Sequence, residues 1–497
     1  MFKFRSPFHL YHSIKLLMRF IRFACLFMPF VVLSPQLATA QGDSNFVSIP
    51  LTPGNFRQVG KNWIAAANAS SDYNVANDLK PVKGEGILLN SAAAGSGDHL
   101  VTNQEFGDLE LELDVMLSKN SNSGIYLQGR YEIQLFDSWK KTSVNFSDIG
   151  AIYSRWTDAR QNYEGSAPMM NVAKAPGLWQ HLDIKFRAPR FNSKGEKISD
   201  ARFEEVYLNG VLVQQGSSVT GPTRSSLFED EKPTGPIMIQ GDHGPVAIRN
   251  LKVRSAWPAR PAATDDQYWV PGSSYWDAVN PVIVDPASRP SFIKTFLMYD
   301  TTKLTHVISV GNPNQLHFSY DLKEGALFQV WRGQFMDLSM AWIDRGEMQL
   351  GRPMGSVIVL SDAPSVSRLK NESDAWPDSI AFDDLDNKGY TLDQFRTPTF
   401  SYTTSGMDIS DNIHALNTGE GIQRTISCGN AFPDSYCRVI SGKSIQKISD
   451  SLYAINDRSY YLQLDQKLKP TLRQNASGQE LLVRLTSAQP VIYSIIW

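Results

Sequence analysis

Residues 109–117 read LELELDVML, with Leu109, Leu111, Leu113, Val115 and Leu117 on one side of an alternation and Glu110, Glu112 and Asp114 on the other. A side-chain period of two over that length is a β-strand with one face in a core. Working outward, Leu182, Ile184 and Phe186 alternate in the same way within residues 181–187. Asn209-Gly210 stands between apolar runs in 203–215. That pair suits a type I′ hairpin turn, where both turn residues take positive φ. No long helical pattern interrupts these segments. Short strands with regular turns predict an all-β sandwich or jelly roll.

The second half continues in the same style. THVISV (305–310), LHFSYD (316–321), ALFQVW (326–331), SVIVL (356–360), YYLQL (460–464) and ELLVRL (480–485) all read as strands, separated by Gly, Pro and Asn. They predict a second β-sandwich domain over 274–497. Between the halves, SAWPARPAATDDQYWVPGS (255–273) has the composition of a linker. The first domain is therefore expected over 41–255, with the Pro-rich linker at 256–273.

The first forty residues read as a secretory signal peptide. Lys3, Arg5, Lys15, Arg19 and Arg22 form a basic region without acidic residues, an apolar run spans Phe23–Leu33, and Ala38-Thr39-Ala40 offers a small-x-small cleavage site before Gln41. An uncleaved membrane anchor is the rival reading; the apolar run is short for the roughly 20 residues of a spanning helix, and the cleavage site argues against it. Cys25 lacks a lipobox. The expected location is periplasmic or secreted, in a bacterium. The chain carries 48 basic and 50 acidic residues; removal of the leader leaves 43 against 50, a net charge of −7. With no basic block, nucleic acid and anionic membrane are poor partners. Two cysteines remain beyond the leader, Cys428 and Cys437 in SCGNAFPDSYC. In an exported chain, cysteines this close around Gly, Asn and Pro are expected to close a small loop as a disulfide.

Two segments carry candidate chemistry. In RYEIQLF (130–136), Tyr131, Ile133 and Leu135 face one way, and Arg130, Glu132, Gln134 and Phe136 face the other. Such a polar row grips sugar hydroxyls when it lies on a concave sheet face. Glu132 can also move a proton, and Arg130 can hold it ionised or polarise a carbonyl. On spacing alone, an ordinary solvated strand face is the commoner meaning of such a row. In QGDHGP (240–245), Asp242 and His243 lie in a rigid turn between two strands. Histidine is the natural proton carrier near neutral pH, while a structural turn capped by Asp242 is the alternative. The six histidines beyond the leader (99, 181, 243, 306, 317, 414) are scattered, without metal-site spacing. No phosphate loop, dinucleotide fingerprint or nucleophile elbow is present. No cofactor is expected, and a divalent metal in the cleft remains open.

The succession GDLELELDVMLSKNSNSGIYLQGRYEIQLFDSW, IGAIY (149–153), GLWQHLDIKFRAPRF (177–191), VYLNGVLV (206–213) and PIMIQGDHGPVAIRNLKVR (236–254) resembles the 3-keto-disaccharide hydrolase family over roughly residues 45–255. The resemblance implies a concanavalin-A-like jelly roll and a glycoside substrate whose C3 hydroxyl a partner dehydrogenase has oxidised to a ketone. The ketone acidifies the C2 hydrogen; a base removes it, the C1 group departs by β-elimination, and water adds back. On matching positions, Glu132 and His243 are the implied base and acid, and Arg130 steadies the enolate. Gln134, Tyr153, Gln240 and Asp242 orient substrate or catalyst. Pro245 departs from the family's turn, which commonly has a polar residue there. The segment from Thr305 to Gly346 is similar to an uncharacterised β domain of secreted bacterial sugar-related proteins. Its Trp331, Arg332, Trp342 and Arg345 suit either a sugar platform or core and surface positions. Two rival functions remain. A conventional glycosidase needs two carboxylates about 5–9 Å apart, whereas Gln134 stands where such glucanases place an acid. The other rival is a glycan-binding module without catalysis.

Overall fold

The structure, a computed structural model, describes residues 45–92, 95–255, 281–342 and 348–497. The expected signal peptide (1–40) and linker (256–273) lie outside the described residues, as does Arg345.

The alternating segment forms the strand Leu109–Leu117, with the bounds its pattern implies. Its apolar side is buried, and Glu110 on the opposite side is also buried, paired with Arg254. This strand lies at the middle of an eight-stranded antiparallel sheet. The order is Val211–Val219, Ala201–Leu208, Trp179–Arg187, Leu109–Leu117, Val246–Arg254, Lys80–Asn90 and Trp63–Ser70, with Val47–Ser48 added beside Val246–Arg254. Asn209 and Gly210 turn the outer hairpin with φ of 52° and 80°, the positive pair that a type I′ turn requires.

A five-stranded sheet packs across it, ordered Phe56–Gln58, Leu100–Phe106, Gly235–Ile239, Asn122–Leu127 and Tyr131–Phe136. Both sheets contribute to one core. Leu111, Leu113, Ile184 and Phe186 come from the larger sheet, and Ile125, Tyr131, Ile133, Leu135 and Ile239 from the smaller. This is the β-sandwich that the period-two pattern predicts. The inward facing of Tyr131, Ile133 and Leu135 sends Glu132 and Gln134 to the outer face of the smaller sheet.

The second half is likewise all β, with its strands spread over three sheets of six, four and eight strands. These share a core containing Ile308, Phe318, Val330, Ile409, Ile426, Leu481 and Ile495. Tyr73, Ala175 and Leu178 of the first half enter that same core. Polar ties reinforce the junction. Trp139 Nε1 donates to the Trp497 carbonyl at 2.7 Å, Tyr461 Oη donates to Pro176 O at 3.1 Å, and Arg249 pairs with Asp457. Gly42–Trp497 is accordingly one compact unit.

One expectation in the second half is corrected, and one pair of alternatives is decided. Cys428 and Cys437 are both free and buried rather than joined. Cys428 ends a strand of the eight-stranded sheet, whereas Cys437 lies in the four-stranded sheet, between Val366 and Val483. The short loop between them connects two sheets instead of closing on itself. Trp331 is fully buried, stacked on Phe335 at 5.7 Å. Arg332 is buried too, donating to Gly419 O at 2.8 Å. Those two residues are core, not a sugar platform. Among the described residues no helix is long and apolar enough to cross a membrane.

Candidate active site

The hairpin Asn122–Leu127/Tyr131–Phe136 sets the site. Its register places Tyr126 opposite Glu132 and Gly124 opposite Gln134. The backbone of Tyr131–Phe136 is then covered along its free edge. Tyr153 N donates to Glu132 O at 3.1 Å, Gln134 N donates to Ala151 O at 2.9 Å, and Glu132 N donates to Thr223 Oγ1 at 3.1 Å. Two loops are thereby drawn over the polar face, and they enclose a cleft of about 190 Å³. Asn122, Tyr126, Glu132, Gln134, Tyr153, Arg224, Ser225, Gln240 and His243 line it. That is below the roughly 300–1,000 Å³ of a ligand cleft for larger molecules, and it suits one sugar-sized ring at its floor. A larger hollow of about 280 Å³, bordered by residues 45–50, 102–104 and 253–255, carries no carboxylate, imidazole or thiol.

Glu132 is the chemical centre of the cleft. Its side chain is 2 % exposed, and its Oε2 has no hydrogen-bond partner. Burial pushes the carboxyl up to about 8; the Tyr126 phenol opposes that shift, and the negative Asp242 adds to it. At neutral pH the group is therefore a carboxylic acid that holds its proton. Gly124 makes room for it, because a Cβ there would lie 2.1 Å from Glu132 Oε1. Tyr126 and Tyr153 are also raised by burial, with Glu132 next in effect on each.

His243 enters from the turn after the strand Gly235–Ile239. Its Nδ1 lies 2.6 Å from Asp242 Oδ1 and 3.1 Å from Gln240 Nε2. The shorter contact favours an Nδ1–H donated to Asp242, which leaves Nε2 as the nitrogen with a free lone pair and makes the Gln240 approach a packing contact, not a hydrogen bond. The turn itself is held from below. Asn90, fully buried, donates through Nδ2 to Gly241 O at 2.9 Å and to Gly244 O at 2.8 Å. Its Oδ1 accepts from Asn62 Nδ2 and Ala92 N. Ser121 Oγ donates to Pro245 O at 2.5 Å, so the unusual proline takes part in the anchoring.

Of the residues expected from sequence, Glu132, Gln134, Tyr153, Gln240 and His243 line one cleft, and Asp242 stands behind His243. Arg130 does not join them. It precedes the strand, in the turn shaped by the left-handed Gln128 and Gly129, so strand alternation does not apply to it. Its guanidinium is buried against the Phe228 ring at 4.6 Å. It donates to Gln128 O at 2.9 Å and to Asp230 Oδ1 at 2.7 Å. Arg130 thus fastens the 228–233 loop and has no donor directed at the cleft. Sequence reading missed Tyr126, Asn122, Arg224 and Ser225. Tyr126 was recoverable, since it faces Glu132 once the Gln128-Gly129 turn sets the register. Arg224 lies in an aperiodic loop and left no signal. Among the described residues, no group of three or more His, Cys, Asp and Glu side chains forms a metal-binding set.

The site is thus a small polar cleft on an antiparallel β-sandwich, lined by a buried carboxyl and by an imidazole in contact with a neighbouring carboxylate. Residues 55–254 match the family described as the 3-keto-alpha-glucoside-1,2-lyase-like domain, the family that the motifs of the first half resemble. This domain makes the chain a carbohydrate-active protein. Two Parabacteroides distasonis structures, each described as a "putative glycosyl hydrolase", are similar at 22 % and 23 % identity. They cover 39 % of this chain and 84 % and 99 % of their own, with TM-scores of 0.29 and 0.25. A carbohydrate-binding module of Bacillus subtilis is similar at 10 % identity, covering 39 % of this chain and 96 % of its own, with a TM-score of 0.21. No curated protein matches the chain.

Proposed function

We propose that the cleft cleaves 3-keto-glycosides by removing the C2 proton and expelling the C1 substituent, with water adding afterwards. The observation that carries this reading is the buried Glu132 carboxyl, raised to about 8, sharing one cleft with an Asp242-backed His243. A buried acid that keeps its proton and an imidazole in the same cleft form a working acid–base pair. The roles are then the reverse of those the resemblance implies, because the raised Glu132 carboxyl holds its proton. His243 Nε2 takes the C2 proton. Glu132 gives its proton to the departing C1 oxygen. In the second half the Glu132 carboxylate takes a proton from water as its oxygen adds to C1, and His243 returns a proton to C2. Both groups end as they began.

The 1,2-lyase in the family's description supports the elimination step. The cleft wall also speaks against a conventional glycosidase: among its described residues, Glu132 is the one carboxylate, and that mechanism uses two. Gln134 and Gln240 supply amides for sugar hydroxyls. The leader supports action outside the cytoplasm, and the ketone requires an oxidising dehydrogenase upstream.

The test is turnover of an aryl glucoside and of the same compound oxidised at C3. Aglycone release from the keto form alone is expected, with loss of turnover in Glu132→Gln and His243→Ala. Cleavage of the unmodified glucoside would overturn the reading. Binding of both compounds without cleavage would reassign the cleft to glycan recognition.

A further inference from the structure

Removal of the C2 proton leaves negative charge on the C3 oxygen, and Arg130 is turned away from it. The geometry points to Arg224 as the catalytic cation that binds the C3 ketone oxygen and carries the charge of the enolate; this rests on the eliminating function proposed above.

Arg224 lines the cleft together with Glu132, Tyr126, Tyr153 and His243. Its backbone is fixed on both sides: its N donates to Ser154 O at 3.0 Å, and its O accepts from Tyr126 Oη at 3.1 Å. The preceding Thr223 is pinned to Arg130 O through both its N, at 2.9 Å, and its Oγ1, at 3.0 Å. The following Ser225 holds a left-handed φ of 61°. Non-glycine residues keep that conformation where surrounding contacts over-determine it, as at functional sites. The guanidinium rests over the Trp156 ring, 5.2 Å from its centroid. It is exposed, and no carboxylate pairs with it among the described residues. The contrast with its neighbours is direct: Arg130 is paired with Asp230, and Arg155 with Glu164. An arginine held on a rigid backbone, backed by an aromatic face and lacking a carboxylate has its donor fork free for an oxyanion.

The electron flow follows. As His243 takes the C2 proton, the C2–H pair becomes the C2–C3 double bond, and the carbonyl π pair moves to the C3 oxygen, against Arg224. When the C3 carbonyl re-forms, the C2–C3 pair moves to C1–C2 and the C1–O bond breaks. Its oxygen leaves with the Glu132 proton. A preorganised donor at the atom where charge develops acts on the transition state more than on the ground state.

The experiment uses the full chain and two probes. The first is 1,5-anhydro-3-keto-glucitol, which has no exocyclic substituent at C1 to expel, so exchange of its C2 hydrogen with deuterated water reports enolate formation without glycoside cleavage. The second is the 3-keto aryl glucoside. Arg224→Ala is expected to slow both reactions by roughly 10²–10³-fold, the loss seen for single oxyanion donors. Arg224→Lys is expected to fall between, and added guanidinium ion to restore part of the rate of Arg224→Ala. Restoration by the missing group also shows that the variant is folded. Exchange by Arg224→Ala equal to that of the wild type would overturn the assignment, as would a raised KM with unchanged kcat, which marks ground-state binding only. Wild-type protein that neither exchanges nor cleaves would remove the eliminating function itself, an outcome separate from any difference between variants.

Discussion

Replacing Glu132 with glutamine should stabilise the protein while abolishing turnover, and the stabilisation should depend on pH. The carboxyl is buried with an unpartnered Oε2, and its folded-state value stands at about 8 against 4.5 for the unstrained group. The folded state therefore holds a proton that the unfolded state releases between those values. Stability must fall as pH rises through that window, because the unfolded chain binds fewer protons. One pH unit corresponds to about 1.4 kcal/mol. The penalty borne by the wild type relative to an uncharged amide is then about 1 kcal/mol at pH 5 and about 3 kcal/mol at pH 7, levelling near about 5 kcal/mol above pH 8. Glutamine has the shape of the protonated acid and does not titrate. Thermal unfolding of both proteins at pH 5, 6, 7, 8 and 9 reads the effect directly. The Tm of Glu132→Gln should exceed that of the wild type by a gap that widens to pH 8 and then stays level. A gap that does not change with pH would refute the buried, proton-holding carboxyl, and with it the acid role of Glu132.

Turnover itself should decline as pH rises through about 8, when Glu132 loses the proton it must donate; a kcat/KM profile that keeps rising to pH 10 would exclude Glu132 as the acid. Gly124→Ala places a methyl 2.1 Å from Glu132 Oε1, so turnover should fall at least tenfold, about 1.4 kcal/mol in the barrier, while circular dichroism stays native. Asn90→Asp sets a carboxylate oxygen against Gly241 O and Gly244 O in place of a donor. It should cost about 1–3 kcal/mol in urea unfolding and lower kcat through a displaced His243. Arg130→Met should lower Tm by freeing the 228–233 loop yet leave kcat near that of the wild type. A large fall in kcat with unchanged Tm would return Arg130 to the chemistry.

How much of the site was legible follows from which interactions are local. The facing of Glu132 and Gln134 was readable because alternation along one strand is a covalent consequence of the pleat. Arg130 was misread by the same rule, since it stands one residue before the strand begins, and a turn obeys no alternation. The Cys428–Cys437 pairing failed for a related reason: short separation along the chain says nothing about two strands that part into different sheets. Arg224, nearly a hundred residues beyond Glu132 and in a loop without periodicity, became a site residue only when Thr223 docked on the strand edge at Arg130 O and Glu132 N.

By itself, then, the sequence determined the all-β class, the core face of the strands within 109–117, 181–187 and 131–136, the Asn209-Gly210 turn and the family that the first half resembles. All of these rest on period-two patterning, turn chemistry and motif order within short stretches of chain. Tertiary structure alone decided the rest. It buried Glu132 deeply enough to keep its proton, placed Asp242 behind His243, turned Arg130 away and brought Arg224 to the cleft. It also merged Tyr73, Ala175 and Leu178 into the core of the second half. Each of those outcomes depends on burial or on contact between distant segments, and neither exists until the sheets have packed.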